Sequence, residues 1–380
     1  MNSLSIAKIN FFVETLKFAV EMFLPSSENP LKNTILDGFM LPSKYMLGSS
    51  IKILLLFTTA FCPAFRLVFY AIYYLPNCDY TTKESTFDCI HTVLDVIILS
   101  LEIMLVLFGL NFDYFRKFIS SIESLSVEND SLAIRTIKRN RRLSSLILAI
   151  SFIGNNILCS IYTFATNTNI GIFEPALLIT NEVCITFGFF FLLNMTCNIC
   201  VFLQAAFNQI NSQIAALNGT TKQMFNSFDE IRDLRQKYSY AVRSAQNADK
   251  LLRYFVTIFY IEYFSFNIMN IVRFFGPTTK MEPFWLYAML FQTVQLIILT
   301  YNLVSVNNLS RQGLEDLYEF SFKLNSLHLY HENDIFIARM ALSDVGFTFA
   351  NLFTINNSFI TSMFTLSLTI IIALASFIYR

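Results

Sequence analysis

The sequence predicts an all-α polytopic membrane protein. It has seven transmembrane helices, a cytoplasmic N-terminus, an extracellular C-terminus and a helical layer on the cytoplasmic side. Three observations predict it. Hydrophobic residues fill 54% of the 380 positions, and mean hydropathy is +0.52. Charged residues reach only 14%, against about 25% in soluble domains. The apolar residues also run in seven long stretches in a chain with only 10 Gly and 8 Pro. A bilayer core needs about 20 such residues per helix. The 27 basic and 27 acidic residues balance, which excludes a basic nucleic-acid face. The same composition excludes a disordered chain and a disulfide-dense secreted scaffold.

In chain order, residues 1–45 come first. Ile6, Ile9, Val13, Leu16 and Val20 recur at helical spacing, as in an amphipathic helix on the inner leaflet. Glu14, Lys17 and Glu21 interrupt that run, so it is not a cleaved signal peptide. Spans one and two cover 46–75 and 87–110, and spans three and four cover 143–166 and 176–207. Spans five, six and seven cover 251–275, 283–306 and 353–377. The first and fourth exceed the bilayer thickness and call for tilt or extension. The chain thus divides into a cytoplasmic segment 1–45, a body 46–352 of six helices with cytoplasmic extensions, and 353–380 as the last helix and its short extracellular end.

Orientation follows from the basic residues of the loops. Arg116, Lys117, Arg135, Lys138, Arg139, Arg141 and Arg142 lie between spans two and three. Lys222, Arg232, Arg235, Lys237, Arg243 and Lys250 lie between spans four and five. The N-terminal segment and the stretch before span seven add further Lys and Arg, whereas the opposite side holds Lys83, Lys280 and Arg380. The Asn-x-Ser/Thr sequons at Asn129, Asn194, Asn218, Asn308 and Asn356 all fall in spans or on the cytoplasmic side, so no N-glycosylation is expected. A G-protein-coupled receptor has its N-terminus outside, which argues against that class.

The outer loops, about residues 76–86, 167–175 and 276–282, are too short for a soluble binding domain, so any ligand binds among the helices. The inner connections carry two apolar stripes. One is Phe225, Phe228, Ile231, Leu234, Tyr238 and Val242; the other is Leu314, Leu317, Phe320, Leu324 and Leu327. Each either packs on its own helix ends or assembles a layer between subunits. No catalytic triad, paired catalytic carboxylates or nucleotide loop is apparent, so the chain reads as no enzyme, with no cofactor and no metal. His328 and His331 lack a third ligand, and Cys197 and Cys200 read as packing residues within a span. Cys78 and Cys89 flank the first outer loop as a possible disulfide pair.

Ionisable groups inside a span are costly and default to functional hypotheses. Asp95 and Glu102 lie in span two, Glu182 in span four and Glu262 in span five, with Arg66 and Arg273 toward outer ends. One reading is interhelical glue, with both arginines snorkelling outward. The other is an outer ligand pocket with aromatic walls, formed by Asp95, Asn156, Tyr162, Glu182, Phe187, Glu262, Tyr263, Trp285 and Gln292. The carboxylates and amides of that pocket lean toward a polar, hydrogen-bonding ligand such as a sugar.

Span seven carries a polar stripe of Ser358, Ser362, Thr365, Thr369, Ile372 and Ser376 at steps of three or four. Such a stripe either hydrogen-bonds within the bundle or lines an aqueous pore, with Ile372 or Phe377 as a hydrophobic constriction. The run from Phe353 to Ser362, Phe-Thr-Ile-Asn-Asn-Ser-Phe-Ile-Thr-Ser, resembles the beginning of the last helix of insect gustatory receptors. In that family Thr-Tyr, five hydrophobic residues and Gln-Phe follow. Here Thr369 and Phe377 match at the right separation, while Ile370 and Ser376 replace Tyr and Gln.

The resemblance implies a tetrameric, ligand-gated, non-selective cation channel in the plasma membrane of chemosensory cells, opened by a small-molecule tastant. It implies partners in other subunits of a homo- or heterotetramer, in membrane lipid and in permeating cations, with no nucleic acid. The last helix then lines the pore through Thr365, Thr369, Ile372, Ser376 and Phe377, and the cytoplasmic extensions form an anchor between subunits. The readings from other classes are an accessory subunit of a heteromeric channel and a multispan small-molecule transporter using the in-membrane carboxylates.

Overall fold

Phe, Leu and Ile runs in a bilayer must satisfy their backbone polar groups internally, and helices do so within one segment. A computed structural model of the chain describes residues 57–73, 75–77, 83–125, 131–166, 173–219, 227–274, 283–324, 326–342 and 345–379. The amphipathic N-terminal segment, the first part of span one, and Cys78 with its pairing to Cys89 lie outside these residues.

A π-helical turn, Phe57–Phe61, leads into α1, Cys62–Tyr73. Helix α2, Lys83–Met104, ends in a second π-helical turn, Leu105–Gly109, and α3 is Phe112–Glu123. Then come α4, Ser131–Thr166; α5, Phe173–Gly219; α6, Ser227–Phe274; and α7, Pro283–Arg311. Two short helices, α8 (Leu314–Ser321) and α9 (Leu327–Ala341), precede a small antiparallel hairpin. Its strands are β1, Thr348–Phe349, and β2, Phe353–Thr354, and the last helix α10 is Asn357–Tyr379. Helices α4 to α7 and α10 are each long and apolar enough to cross a membrane. Helix α1 is a shorter apolar helix, and α2 is long enough but carries the acidic residues of span two. The architecture is that of an all-α polytopic membrane protein.

Helices α5 and α6 have 47 and 48 residues, about 70 Å each at 1.5 Å per residue, against a hydrocarbon core of about 30 Å. Their inner halves therefore leave the membrane at the basic end, where α3, α8 and α9 pack on them. Asn111 starts α3 by accepting the Asp113 N–H at 3.0 Å. Phe115, Phe118, Ile119 and Ile122 of that helix are buried, and α3 lies against α6. Tyr238 is wholly buried, its ring 5.9 Å from Phe207 and 5.5 Å from Phe336, its hydroxyl donating to the Ser310 carbonyl at 3.1 Å.

This decides one stripe that the sequence left open. Ile231, Leu234, Tyr238 and Val242 are buried within their own subunit, because the inner helices of the same chain supply the partners. Phe225 lies outside the described residues, as does the side chain of Phe228. The second stripe is not one helix. It breaks after Ser321, leaving Leu317 and Phe320 buried and Leu327 82% exposed. Lys323 holds the break by donating to the backbone and side-chain oxygens of Asn218 at 2.8 and 2.6 Å, at the end of α5. Span seven likewise begins later than predicted, since Phe353 and Thr354 belong to the hairpin.

Helices α5 and α7 run parallel, joined by a seam of amides. Gln204 donates to the Asn302 carbonyl at 3.1 Å and Asn211 to the Leu309 carbonyl at 2.8 Å, and α8 extends the seam where Asn218 donates to Glu319 at 3.0 Å. The donors stand seven residues apart, the repeat of left-handed helix pairs. Higher in the bundle, Gly188 of α5 packs against the π-helical turn before α1. A Cβ there would lie 2.3 Å from Thr59 Cγ2 and 2.8 Å from Thr58 Oγ1. Gly188→Leu is therefore expected to separate these helices and destabilise the protein by about 1–3 kcal/mol. Ile150→Ala, at an exposed position, stays within about 0.5 kcal/mol. Melting of the detergent-solubilised protein, followed by size-exclusion chromatography, checks both.

Candidate functional site

The in-membrane ionisable residues do not scatter as separate glue contacts. Arg66 of α1 turns inward and ion-pairs with Glu182 of α5, so it does not snorkel outward. Its second Nη donates to the Tyr70 hydroxyl at 3.0 Å, and its guanidinium sits 5.3 Å from that ring. Asp95 and Glu102 of α2 act electrostatically on Arg66. Glu262 of α6 acts on Glu102, and Asp95 acts on Glu262. Four helices thus bring four carboxylates and one guanidinium into one cluster. Arg66 and Glu182 keep 32% and 27% of their side-chain surface exposed. The side chain of Arg273 lies outside the described ones.

The remaining pocket residues divide between two neighbouring seams. Asn156 of α4, buried, has its side-chain oxygen 2.9 Å from the Thr186 hydroxyl, which also lies 2.9 Å from the Glu182 backbone carbonyl, so the single hydroxyl proton serves one acceptor or the other. This places the Asn156 amide one helical turn along α5 from Glu182. Phe187 meets Phe152 edge-to-face with centroids 6.3 Å apart, and Tyr162 is half-buried on α4. On the α6–α7 seam, Tyr263 hydrogen-bonds Thr293 at 3.0 Å and Gln292 accepts from Asn267 at 3.3 Å. Trp285 lies on α7, its side chain outside the described ones.

The last helix is the other candidate. Its contacts are with α6 and α2. Ile371 and Leu374 pack against Phe87, Met269 and Val272. At 100° per residue the stripe of Thr365, Thr369, Ile372 and Ser376 lies on the opposite face, and all four are exposed. Thr361 donates to the Asn357 carbonyl at 3.1 Å, Thr365 to the Thr361 carbonyl at 2.9 Å, and Thr369 to the Thr365 carbonyl at 2.9 Å. The ladder closes on its own helix and presents hydroxyl oxygens away from the bundle. The Phe377 side chain lies outside the described ones.

No family model and no curated protein sequence matches the chain. Among solved structures it is similar to the insect olfactory receptor OR5 from Machilis hrabei in complex with eugenol. The TM-score is 0.54 at 16% identity, over 93% of each chain. The fold is that of an insect olfactory receptor.

Two groups central to the arrangement stand outside the pocket set read from the sequence. Glu102 is 3% exposed and its Oε2 has no hydrogen-bond partner among the described residues; its spacing of seven from Asp95 placed both on one face of α2. Asp249 is 5% exposed on α6 and accepts from the Thr348 N–H at 2.7 Å, the Thr348 hydroxyl at 2.9 Å and Arg253 at 2.7 Å. Asp249 and Arg253 at (i, i+4) were legible as a helical pair, but not as the hairpin's anchor. Arg66→Ala leaves Glu182 without its cation. The expected cost is about 1–3 kcal/mol, below that of a fully buried pair because both side chains are partly open. Adding Glu182→Gln recovers more than half of that loss in a double-mutant cycle read by thermal melting.

Proposed function

We propose that this chain is a subunit of an insect-type chemoreceptor of the gustatory branch, a ligand-gated non-selective cation channel opened by a small extracellular tastant. The observation that carries this reading is the last helix. Its hydroxyl stripe faces away from its own bundle, and four such helices around an axis would enclose a polar pore. Threonine hydroxyls that donate to their own carbonyls keep oxygen lone pairs for a passing cation. Ile372 and Phe377 would narrow that pore by dewetting. The olfactory-receptor fold supports the same assignment, as does the degenerate gustatory motif from Thr369 to Phe377. Assembly with other subunits, and residence in the plasma membrane of chemosensory cells, belong to the same proposal.

In this reading ligand binds in the outer bundle, at the charged cluster and the Asn156, Tyr263 and Gln292 seams beside it. Its binding energy opens the channel only to the extent that it binds the open state more tightly. One observation favours a second reading. A cluster of four carboxylates around one arginine is the kind of relay a proton-coupled transporter uses, and that reading calls for uptake without unitary conductance.

Whole-cell recording from cells expressing the chain, across sugars, bitter compounds and amines, separates the two. Ligand-evoked, G-protein-independent current is expected. Thr369→Trp abolishes it at unchanged surface expression, while Phe364→Trp, exposed off the stripe, preserves it. Substrate accumulation without current overturns the channel. Silence of this chain alone that a related co-expressed subunit relieves assigns it the accessory role.

A further inference from the structure

Helix α4 enters the bundle at the basic end, which the loop charges place on the cytoplasmic side. Arg135, Lys138, Arg139 and Arg142 stand at i, i+3, i+4 and i+7, hence on one face of its inner end. Arg135, Arg139 and Arg142 are exposed and Lys138 half-buried. That alone is the ordinary bias of inner loops toward positive charge. Arg141 is different. It lies on the flank of this stripe, three residues from Lys138, and is only 4% exposed. Its Nε and Nη1 are enclosed and have no hydrogen-bond partner among the described residues; Nη2 is the guanidinium nitrogen not enclosed in this way. Arg66, Arg235 and Arg253 each hold a carboxylate, whereas Arg141 has no ion pair among the described residues.

The helices around Arg141 do not supply an acid at its level. Helix α4 packs mainly against α5 and α7. Neither α4 nor α7 contains Asp or Glu, and those of α5 are Glu174 and Glu182 in its outer part. Ser145 of α4 donates to Asn194 of α5 at 3.0 Å, which fixes the level one turn above Arg141. Glu182 stands roughly 18 Å farther out along α5, at about 1.5 Å per residue. A buried guanidinium needs a counter-charge, and phosphate oxygens match its fork. The neighbouring surface points to the source. The exposed face that carries the basic stripe continues into the membrane as Leu143, Leu146, Ile157 and Ile161, each more than half exposed. An acyl chain can lie along that face with its phosphate at the inner end, and a soluble phosphate makes no use of it. The further cations, spread over about two helical turns, suit a headgroup with more than one phosphate. We propose that the inner end of α4 binds a phosphoinositide of the cytoplasmic leaflet, with one phosphate on Arg141 and the others on the stripe of Arg135, Lys138, Arg139 and Arg142. The site lies apart from the outer bundle and does not depend on what opens the channel.

The test uses the full chain, purified and delipidated in detergent, and follows its melting with short-chain phosphatidylinositol bisphosphate. Short-chain phosphatidylserine at equal total charge, free inositol trisphosphate and inorganic phosphate are run beside it. The phosphoinositide is expected to raise the melting temperature saturably, at a half-saturating concentration about tenfold or more below that of phosphatidylserine. Free inositol trisphosphate and inorganic phosphate have little effect at that concentration. Arg141→Gln raises the half-saturating concentration about tenfold or more, whereas Arg116→Gln, at an exposed position on α3, leaves it unchanged. Without lipid, Arg141→Gln melts no lower than the parent, because an uncompensated buried cation has been removed. Should it fail to fold, the double variant Lys138→Gln, Arg142→Gln takes its place. The inference is overturned if the phosphoinositide does not stabilise the chain, if phosphatidylserine at equal charge acts equally, or if Arg141→Gln leaves the response unchanged. Equal action of free inositol trisphosphate overturns the lipid source and leaves a site for a soluble phosphate.

Discussion

The position of the last helix hangs on one carboxylate. Asp249, midway along α6, accepts hydrogen bonds from the backbone and side chain of Thr348 and from Arg253 on its own helix. A buried carboxylate needs such partners, and hydrogen bonds to a charged group are the strong ones. Two neighbouring bonds support it: Thr257 accepts the Ala350 N–H at 2.8 Å, and Asn307 donates to the Val345 carbonyl at 2.7 Å. Together they clamp a hairpin whose turn residues, Ala350 and Asn351, have φ of 50° and 63°. Positive φ at both centres matches the twist of a tight hairpin, and the clamp offsets the strain of an alanine there. From that hairpin Asn356 caps α10 by accepting the Phe359 N–H at 2.9 Å.

The consequence is architectural. Because α10 starts from a point fixed on α6, it rises along α6 and α2, and its hydroxyl face is exposed among the described residues. The inner layer works the opposite way. Tyr238, Phe207 and Phe336 form an aromatic core closed within one subunit, so these stripe residues are not themselves a surface for neighbouring subunits. A helix uncovered on one face beside a layer closed on itself is the arrangement that lets a subunit be stable and still contribute a wall to an assembly.

The outer half holds a different balance. Charges placed in a membrane protein are tolerated when they meet each other, and Arg66 with Glu182 does so across α1 and α5. Asp95 and Glu102, seven residues apart on α2, were legible as one acidic face. That this face turns toward Arg66 and Glu262 was not, because the rotation of α2 is set by its packing against α1 and α6. The same limit applies to Gln204, Asn211 and Asn218. Their heptad spacing can be read from the chain, but their partners on α7 and α8 lie about a hundred residues away and depend on how those helices are set against α5. The break between α8 and α9 escaped periodicity because Leu314 to Leu327 kept helical spacing across a turn that Lys323 stabilises from outside.

By itself the sequence determined the class of the protein. Apolar runs of bilayer length, few Gly and Pro, and basic residues gathered in alternate loops depend only on composition and spacing, since bilayer thickness and helix rise are constants. It also determined that the last helix has one polar face. The tertiary structure alone decided where that face points, which carboxylates share Arg66, and that the stripe from Ile231 to Val242 is used up inside the subunit. Those outcomes depend on how each helix is rotated and offset against its neighbours. Rotation is set by side-chain packing and by bonds between distant residues, which a one-dimensional period does not encode.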